Sequence, residues 1–140
     1  MIKLAIFDLD GTLLDTLGDI AGACNHALTV CGCPTHEVGE YKMFVGSGIM
    51  NLFRRALPEE QRTEGMVMKM RDAFVQYYDV HKDDMTRPYP GIEGLLDELT
   101  AKGIRLAVAS NKYQEATEEL VTRYFGPYRF ACVLGQRERH

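Results

Sequence analysis

The sequence has no apolar stretch long enough to cross a bilayer, and its amino-terminal apolar run is shorter than a signal-peptide core. It also has no basic cluster. Its 16 Lys and Arg are outnumbered by 20 Asp and Glu, which gives a formal charge of −4. These absences argue against nucleic acid or a membrane as partner, and we expect a cytoplasmic protein. The 140 residues and 46% apolar content indicate a globular chain the size of one ordinary domain.

The sequence also lacks the paired cysteine spacing of zinc sites, although cysteines and histidines crowd between residues 24 and 36. Cys24 and Cys31 fall on a helical apolar stripe, where a free cysteine acts as a small hydrophobic residue. Without a secretory context, we expect reduced thiols rather than disulfides, and no zinc.

Residues 16–85 read as a helical unit, because their apolar residues repeat at helical spacing and no strand-like run interrupts them. Three helical stripes are predicted, over residues 17–31, 49–57 and 67–81. Gly46-Ser47-Gly48 is either a substrate-facing loop or a plain turn. Arg54 and Arg55 either meet a substrate carboxylate or are solvated.

The segments on both sides of this unit predict a parallel sheet. Prolines at 88 and 90 prevent a helix before Gly91, and a helix over 92–99 then leads to a strand over 104–109. A further helix through residues 116–124 leads to a strand over 130–134. Strand–helix–strand connections of this kind are right-handed and belong to an α/β fold of Rossmann-like type, here with three strands.

Two carboxylates follow the first predicted strand, the run from Ile2 to Phe7, which has the composition of a buried strand. Asp8 and Asp10 stand at its carboxyl end, where open α/β sheets bind ligands, and Gly11 allows a sharp turn. Because like charges this close repel, a divalent cation such as Mg²⁺ is the simplest partner. A plain D-x-D-G turn, or half of a calcium loop, is the alternative.

The segment D-L-D-G-T-L-L-D at residues 8–15 resembles the first motif of the haloacid dehalogenase superfamily in its phosphatase form. A-S-N-K at residues 109–112 resembles the second motif, although Ser and Asn also cap ordinary helices. The resemblance implies a Rossmann-like core from residues 1–15 and 86–140. It also implies that residues 16–85 are a helical cap that closes over the site and excludes water.

The resemblance implies a role for each motif residue. Asp8 would attack phosphorus and Asp10 would serve as acid and base, with both holding Mg²⁺. The phosphate would be bound by residues of both motifs, namely Gly11, Thr12, Ser110 and Asn111. Lys112 is expected to be exposed beside the phosphate site.

The stretch T-R-P-Y-P-G-I-x-x-L-L-x-x-L at residues 86–99 looks like phosphoglycolate phosphatases in particular. The expected function is Mg²⁺-dependent hydrolysis of a small phosphorylated metabolite through an aspartyl phosphate. A pyrophosphatase or a β-phosphoglucomutase-like enzyme is the alternative within the family. A catalytically incomplete phosphate-binding fragment is the alternative outside enzymes.

Two later family motifs have no counterpart, because no lysine follows Lys112 and no aspartate follows Asp97. We therefore expect a truncated chain that turns over phosphate esters poorly or not at all. The uncovered edge of the first strand would be open to pairing, which predicts association with a second copy.

Overall fold

The computed structural model describes residues 2–137, which form two compact units. One unit comprises residues 1–15 and 87–140, and the other comprises residues 16–86. The predicted insertion, residues 16–85, differs from the second unit by one residue.

The predicted strands over residues 2–7, 104–109 and 130–134 are all present, together with two short strands at residues 14–15 and 87–88 that were not predicted. In chain order, the helices and strands are β1 (Leu4–Phe7), β2 (Leu14–Asp15), α1 (Leu17–Val30), α2 (Tyr41–Phe44), α3 (Ile49–Ala56), α4 (Glu64–His81), β3 (Arg87–Pro88), α5 (Ile92–Ala101), β4 (Arg105–Tyr113), α6 (Gln114–Phe125) and β5 (Phe130–Gln136). The sheet of the first unit has the order β1-β4-β5, with both neighbouring pairs parallel. The predicted α/β fold with three parallel strands is confirmed.

The core of the first unit is formed by the motif loop, the sheet and the two helices that follow its strands. Its buried members are Leu9, Leu13, Leu14, Leu96, Leu106, Val108, Leu120, Val121 and Phe125. Phe7 packs against this core, whereas Leu4 and Ile6, which alternate with it along β1, are exposed. The prediction that β1 is buried is therefore wrong for its second face. Association of two copies through β1 stays a prediction.

Strand β4 is longer than predicted, which changes the setting of the second motif. Ser110 and Asn111 lie within β4, and the next helix begins only at Gln114 with Tyr113 as its N-cap residue. Helix α6 thus begins three residues after Asn111, because β4 extends to Tyr113, which pairs with Gln136 of β5.

Helices α1, α3 and α4 of the second unit span the three predicted stripes. Within residues 2–137, no helix is both long and apolar enough to cross a membrane. Cys24 is fully buried in α1, and burial raises the pKa of its thiol to about 12.

A buried aspartate, Asp19, binds the last residues of the second unit. Asp19 of α1 is almost fully buried and accepts hydrogen bonds from the backbone N–H of Met85 and of Thr86, at 2.9 Å and 2.8 Å. The Thr86 hydroxyl adds a third hydrogen bond at 2.7 Å. Asp19 therefore fixes the residues from which the chain leaves this unit.

Replacing Asp19 by Asn tests this contact. We expect a loss of about 1.5–3 kcal/mol in the free energy of unfolding, because the amide has no charge and has one acceptor oxygen instead of two. Urea unfolding of the full chain measures the loss. Asp72→Asn, at an exposed position of α4, is the control and should change stability by less than about 0.5 kcal/mol. Equal effects of both substitutions would contradict this account of Asp19.

Candidate active site

The loop after β1 is closed by its own backbone and by its leucines. The carbonyl of Leu9 accepts hydrogen bonds from the N–H groups of residues 12, 13 and 14, and Gly11 N donates to Leu14 O at 2.9 Å. Gly11 has a φ of 78°, a conformation that disfavours residues with a Cβ. Because three leucines of the loop (9, 13 and 14) are fully buried, the polar residues between and beside them are held in a fixed turn.

A cavity of about 340 Å³ lies at the carboxyl ends of the strands of the first unit. Asp8, Ser110 and Asn111 line it, together with Ala109, Leu134, Gly135 and Gln136. The structure thus brings together side chains from both predicted motifs. Parallel pairing explains this, because Phe7 of β1 stands opposite Val108 of β4, so that the residues after each are neighbours. Gly11 and Thr12 lie in the exposed turn of the loop.

Lys112 is buried, so the prediction that it is exposed is wrong. Its side chain is only 3% exposed, and its Nζ lies 3.3 Å from Asp10 Oδ1. The half-buried Asp10 is thereby joined to the strand that carries Ser110. Beyond Ala109 the pairing of β4 with β5 is irregular, and both Lys112 and the adjacent Tyr113 are buried there.

The charge environment of Asp8 reflects this cluster. Partial burial raises the pKa of the Asp8 carboxyl, and the negative charge of Asp10 raises it further. The Leu9 N–H, which donates to Asp8 Oδ1 at 2.8 Å, and the positive charge of Lys112 oppose the rise. Asp8, Asp10 and Lys112 therefore form one electrostatic unit.

The second motif contributes a hydroxyl and an amide. Ser110 Oγ accepts a hydrogen bond from the backbone N–H of Lys112 at 3.1 Å, which leaves the hydroxyl proton to donate to an anion. Asn111 Oδ1 of β4 accepts a hydrogen bond at 3.4 Å from Nε2 of Gln136, the last residue of β5. Both side chains are placed to meet a small polar ligand in the cavity.

Two residues that the sequence analysis did not single out, Gln114 and Gly135, shape the cavity wall. Gln114 donates from Nε2 to the carbonyl of Val133 at 3.0 Å and accepts from the N–H of Gly135 at 2.5 Å. Its side chain thus replaces backbone pairing where β4 and β5 diverge. No local pattern marks Gln114, because its partners lie about twenty residues away in sequence.

The carboxylates suit Mg²⁺ by their chemistry, since Mg²⁺ in proteins usually has one or two carboxylate ligands and completes its shell with water or phosphate. Asp8 and Asp10 supply two such groups. Within residues 2–137, no group of three or more His, Cys, Asp or Glu side chains could hold a metal ion. The donor set therefore fits a Mg²⁺ ion that is bound together with a phosphate, rather than a fully protein-enclosed ion.

The glycines and arginines singled out in the second unit make local contacts. Arg55 donates to the carbonyl of Phe44 at 2.9 Å and to Ser47 Oγ at 3.3 Å. Arg54 forms an exposed ion pair with Glu64 at 3.4 Å. The Arg55 contacts hold the turn over residues 46–48 against α3.

The fold and the cavity define an α/β protein with acidic, hydroxyl and ammonium groups gathered where parallel strands end. A family model described as haloacid dehalogenase-like hydrolase matches residues 5–138. The chain belongs to this family, and the predicted resemblance is confirmed.

The chain is similar to two curated relatives named phosphoglycolate phosphatase. The relative from Agrobacterium fabrum is 36% identical over 129 residues, which cover 87% of this chain and 55% of the relative. The relative from Cereibacter sphaeroides is 32% identical over 132 residues, 93% of this chain and 61% of the relative. A crystal structure from Lactobacillus delbrueckii subsp. bulgaricus, assigned as a phosphoglycolate phosphatase, has a TM-score of 0.87 and 35% identity, over 96% of this chain and 64% of that one. The chain thus spans about three fifths of the length of these relatives.

Replacing Gly135 by Ala tests the packing of the cavity wall. A Cβ at this position would lie 2.5 Å from the carbonyl oxygen of Lys112 and 2.6 Å from Thr117 Oγ1. We expect a loss of about 1–3 kcal/mol in unfolding free energy, because β5 must move away from Lys112.

Gly94→Ala is the matched control, since nothing lies within 4 Å of a Cβ there and the residue is within α5. It should stabilise the chain by roughly 0.5–1 kcal/mol. Urea unfolding compares the two variants, and a Gly135→Ala variant as stable as the unchanged chain would contradict the described packing.

Proposed function

We propose that this chain carries the phosphate-binding and nucleophilic half of a Mg²⁺-dependent phosphomonoesterase. The observation that carries the proposal is that Asp8, directly after β1, and Ser110, in the carboxyl-terminal half of the neighbouring parallel strand β4, line one cavity. A carboxylate is ionised at neutral pH and needs no base to act as a nucleophile. The hydroxyl of Ser110, in the same cavity, can donate a hydrogen bond to a phosphate oxygen.

The reaction divides into two steps. An Asp8 carboxylate oxygen forms a bond to phosphorus while the bond from phosphorus to the ester oxygen breaks, and Asp10 gives its proton to the leaving alkoxide. In the second step, water attacks phosphorus of the acyl phosphate and gives a proton to Asp10. The bond from phosphorus to Asp8 then breaks, which restores the Asp8 carboxylate and releases inorganic phosphate.

The remaining predicted groups bind rather than react. Ser110 and the nearby Asn111 amide hold the non-bridging oxygens, and Gly11 and Thr12 supply backbone and hydroxyl groups from the motif loop. When bound by Asp8 and Asp10, Mg²⁺ supplies positive charge that shields the nucleophile from the phosphate. We propose that residues 16–86 are the family's cap by their place in the chain, directly after the motif loop.

The names of the relatives favour phosphoglycolate as the substrate. A pyrophosphatase and a β-phosphoglucomutase-like enzyme are the alternatives, and a panel of phosphoglycolate, pyrophosphate and sugar phosphates separates them.

We expect weak turnover by the 140-residue chain, because two carboxylates alone are a sparse ligand set for the metal. The second candidate function is phosphate binding without turnover, which the same sparse ligand set favours. The cytoplasmic location stays a prediction.

Asp8→Asn tests the proposed nucleophile without requiring fast turnover. Beryllium fluoride with Mg²⁺ mimics a phosphoryl group on a carboxylate, so we expect the unchanged chain to bind it and Asp8→Asn to lose binding. Asn can keep the hydrogen bond from Leu9 N–H, so the loss would report the missing carboxylate. Fluorine NMR of the bound species measures the effect.

The control is Asp72→Asn, which removes an equal charge from an exposed site in the second unit and should bind like the unchanged chain. Failure of the unchanged chain to bind beryllium fluoride would refute the proposed function. Mg²⁺-dependent hydrolysis that persists in Asp8→Asn would refute the role of Asp8.

A further inference from the structure

Lys112 is the basic residue beside Asp8 and Asp10, and its side chain is buried rather than exposed on the surface. Its side chain is 3% exposed, whereas the side chain of Lys102, which pairs with Glu98 on α5, is 64% exposed. Burying an ammonium is costly unless a carboxylate compensates it. Asp10 Oδ1, 3.3 Å away, meets that requirement.

The backbone of Lys112 is held as firmly as its side chain. Its N–H donates to Ser110 Oγ at 3.1 Å, and its carbonyl accepts from the Thr117 hydroxyl at 3.1 Å. Gly135 leaves room for that carbonyl, because a Cβ there would lie 2.5 Å from it. One residue thus connects the phosphate-binding hydroxyl to the acidic motif loop.

The charge of Lys112 acts on both carboxylates. It lies in contact with Asp10, and its electrostatic effect also reaches Asp8, which lines the cavity. A fixed cation in this position has opposite effects on two classes of ligand. It repels a divalent cation that binds the carboxylates, and it attracts an anion that binds beside Asp8.

We propose that Lys112 is the internal counter-cation of the Asp8–Asp10 pair. It competes with Mg²⁺ for Asp10 and strengthens the binding of a phosphate dianion in the cavity, an effect that rests on the proposed function. Lys112 is a positioning residue for Asp10 and an electrostatic partner for the anion. This role deepens the proposed function by assigning the positive charge of the site to a residue within the second motif.

The test replaces Lys112 with Met, a neutral side chain of similar length, in the full 140-residue chain. Lys102→Met is the matched control, because it removes the same charge from an exposed position. Isothermal titration calorimetry measures the affinity of each chain for Mg²⁺ alone and for inorganic phosphate in the presence of Mg²⁺.

We expect Lys112→Met to bind Mg²⁺ at least about fivefold more tightly and phosphate at least about fivefold more weakly, the order of effect of removing one nearby unit charge. Lys102→Met should change neither affinity. A merely structural role would weaken both ligands together. Unchanged or weaker Mg²⁺ binding by Lys112→Met would overturn the competition.

If neither the unchanged chain nor Lys112→Met binds Mg²⁺, that result counts against the metal in the proposed function. The counter-cation role of Lys112 is then tested by a second comparison, of stability. Lys112→Met should lower the melting temperature, since it removes the ammonium that contacts the half-buried Asp10. Adding Asp10→Asn to Lys112→Met should then recover at least half of the loss. A double variant as unstable as Lys112→Met would overturn the counter-cation role and would show that Lys112 serves packing.

Discussion

Two carboxylates that stand two residues apart at the end of one strand impose the main constraint on this molecule. Their charges repel, and desolvation together with the charge of Asp10 raises the pKa of Asp8, so positive charge nearby favours the pair. The fold supplies it through Lys112, whose ammonium contacts Asp10 and whose field reaches Asp8. The position of β4 beside β1 is what makes this compensation possible.

The rest of the first unit serves to fix that arrangement. Buried leucines and backbone hydrogen bonds lock the loop that carries the carboxylates. The extension of β4 through Tyr113 and the lack of a side chain at Gly135 bring β5 close to Lys112. The cavity at this edge therefore combines acidic, hydroxyl and amide groups on a rigid frame, as the proposed function requires.

The sequence was sufficient for features that depend on local pattern or on a specific motif. Asp8 and Ser110 could be placed beside neighbouring strands at one edge of the sheet, because a strand–helix–strand connection constrains the topology. The burial of Lys112 could not be foreseen, since Ser and Asn before it indicate a helix start as readily as a longer strand. Gln114 and Gly135 escaped notice because their roles depend on contacts between β4, α6 and β5 rather than on local spacing.

Detection of the acyl phosphate itself tests the central claim most directly. Borohydride reduces an aspartyl phosphate to homoserine, and peptide mass spectrometry locates the reduced residue after incubation with Mg²⁺ and a reactive phosphoryl donor such as acetyl phosphate. The account predicts homoserine at residue 8. Homoserine at another aspartate, with residue 8 unmodified, would contradict it.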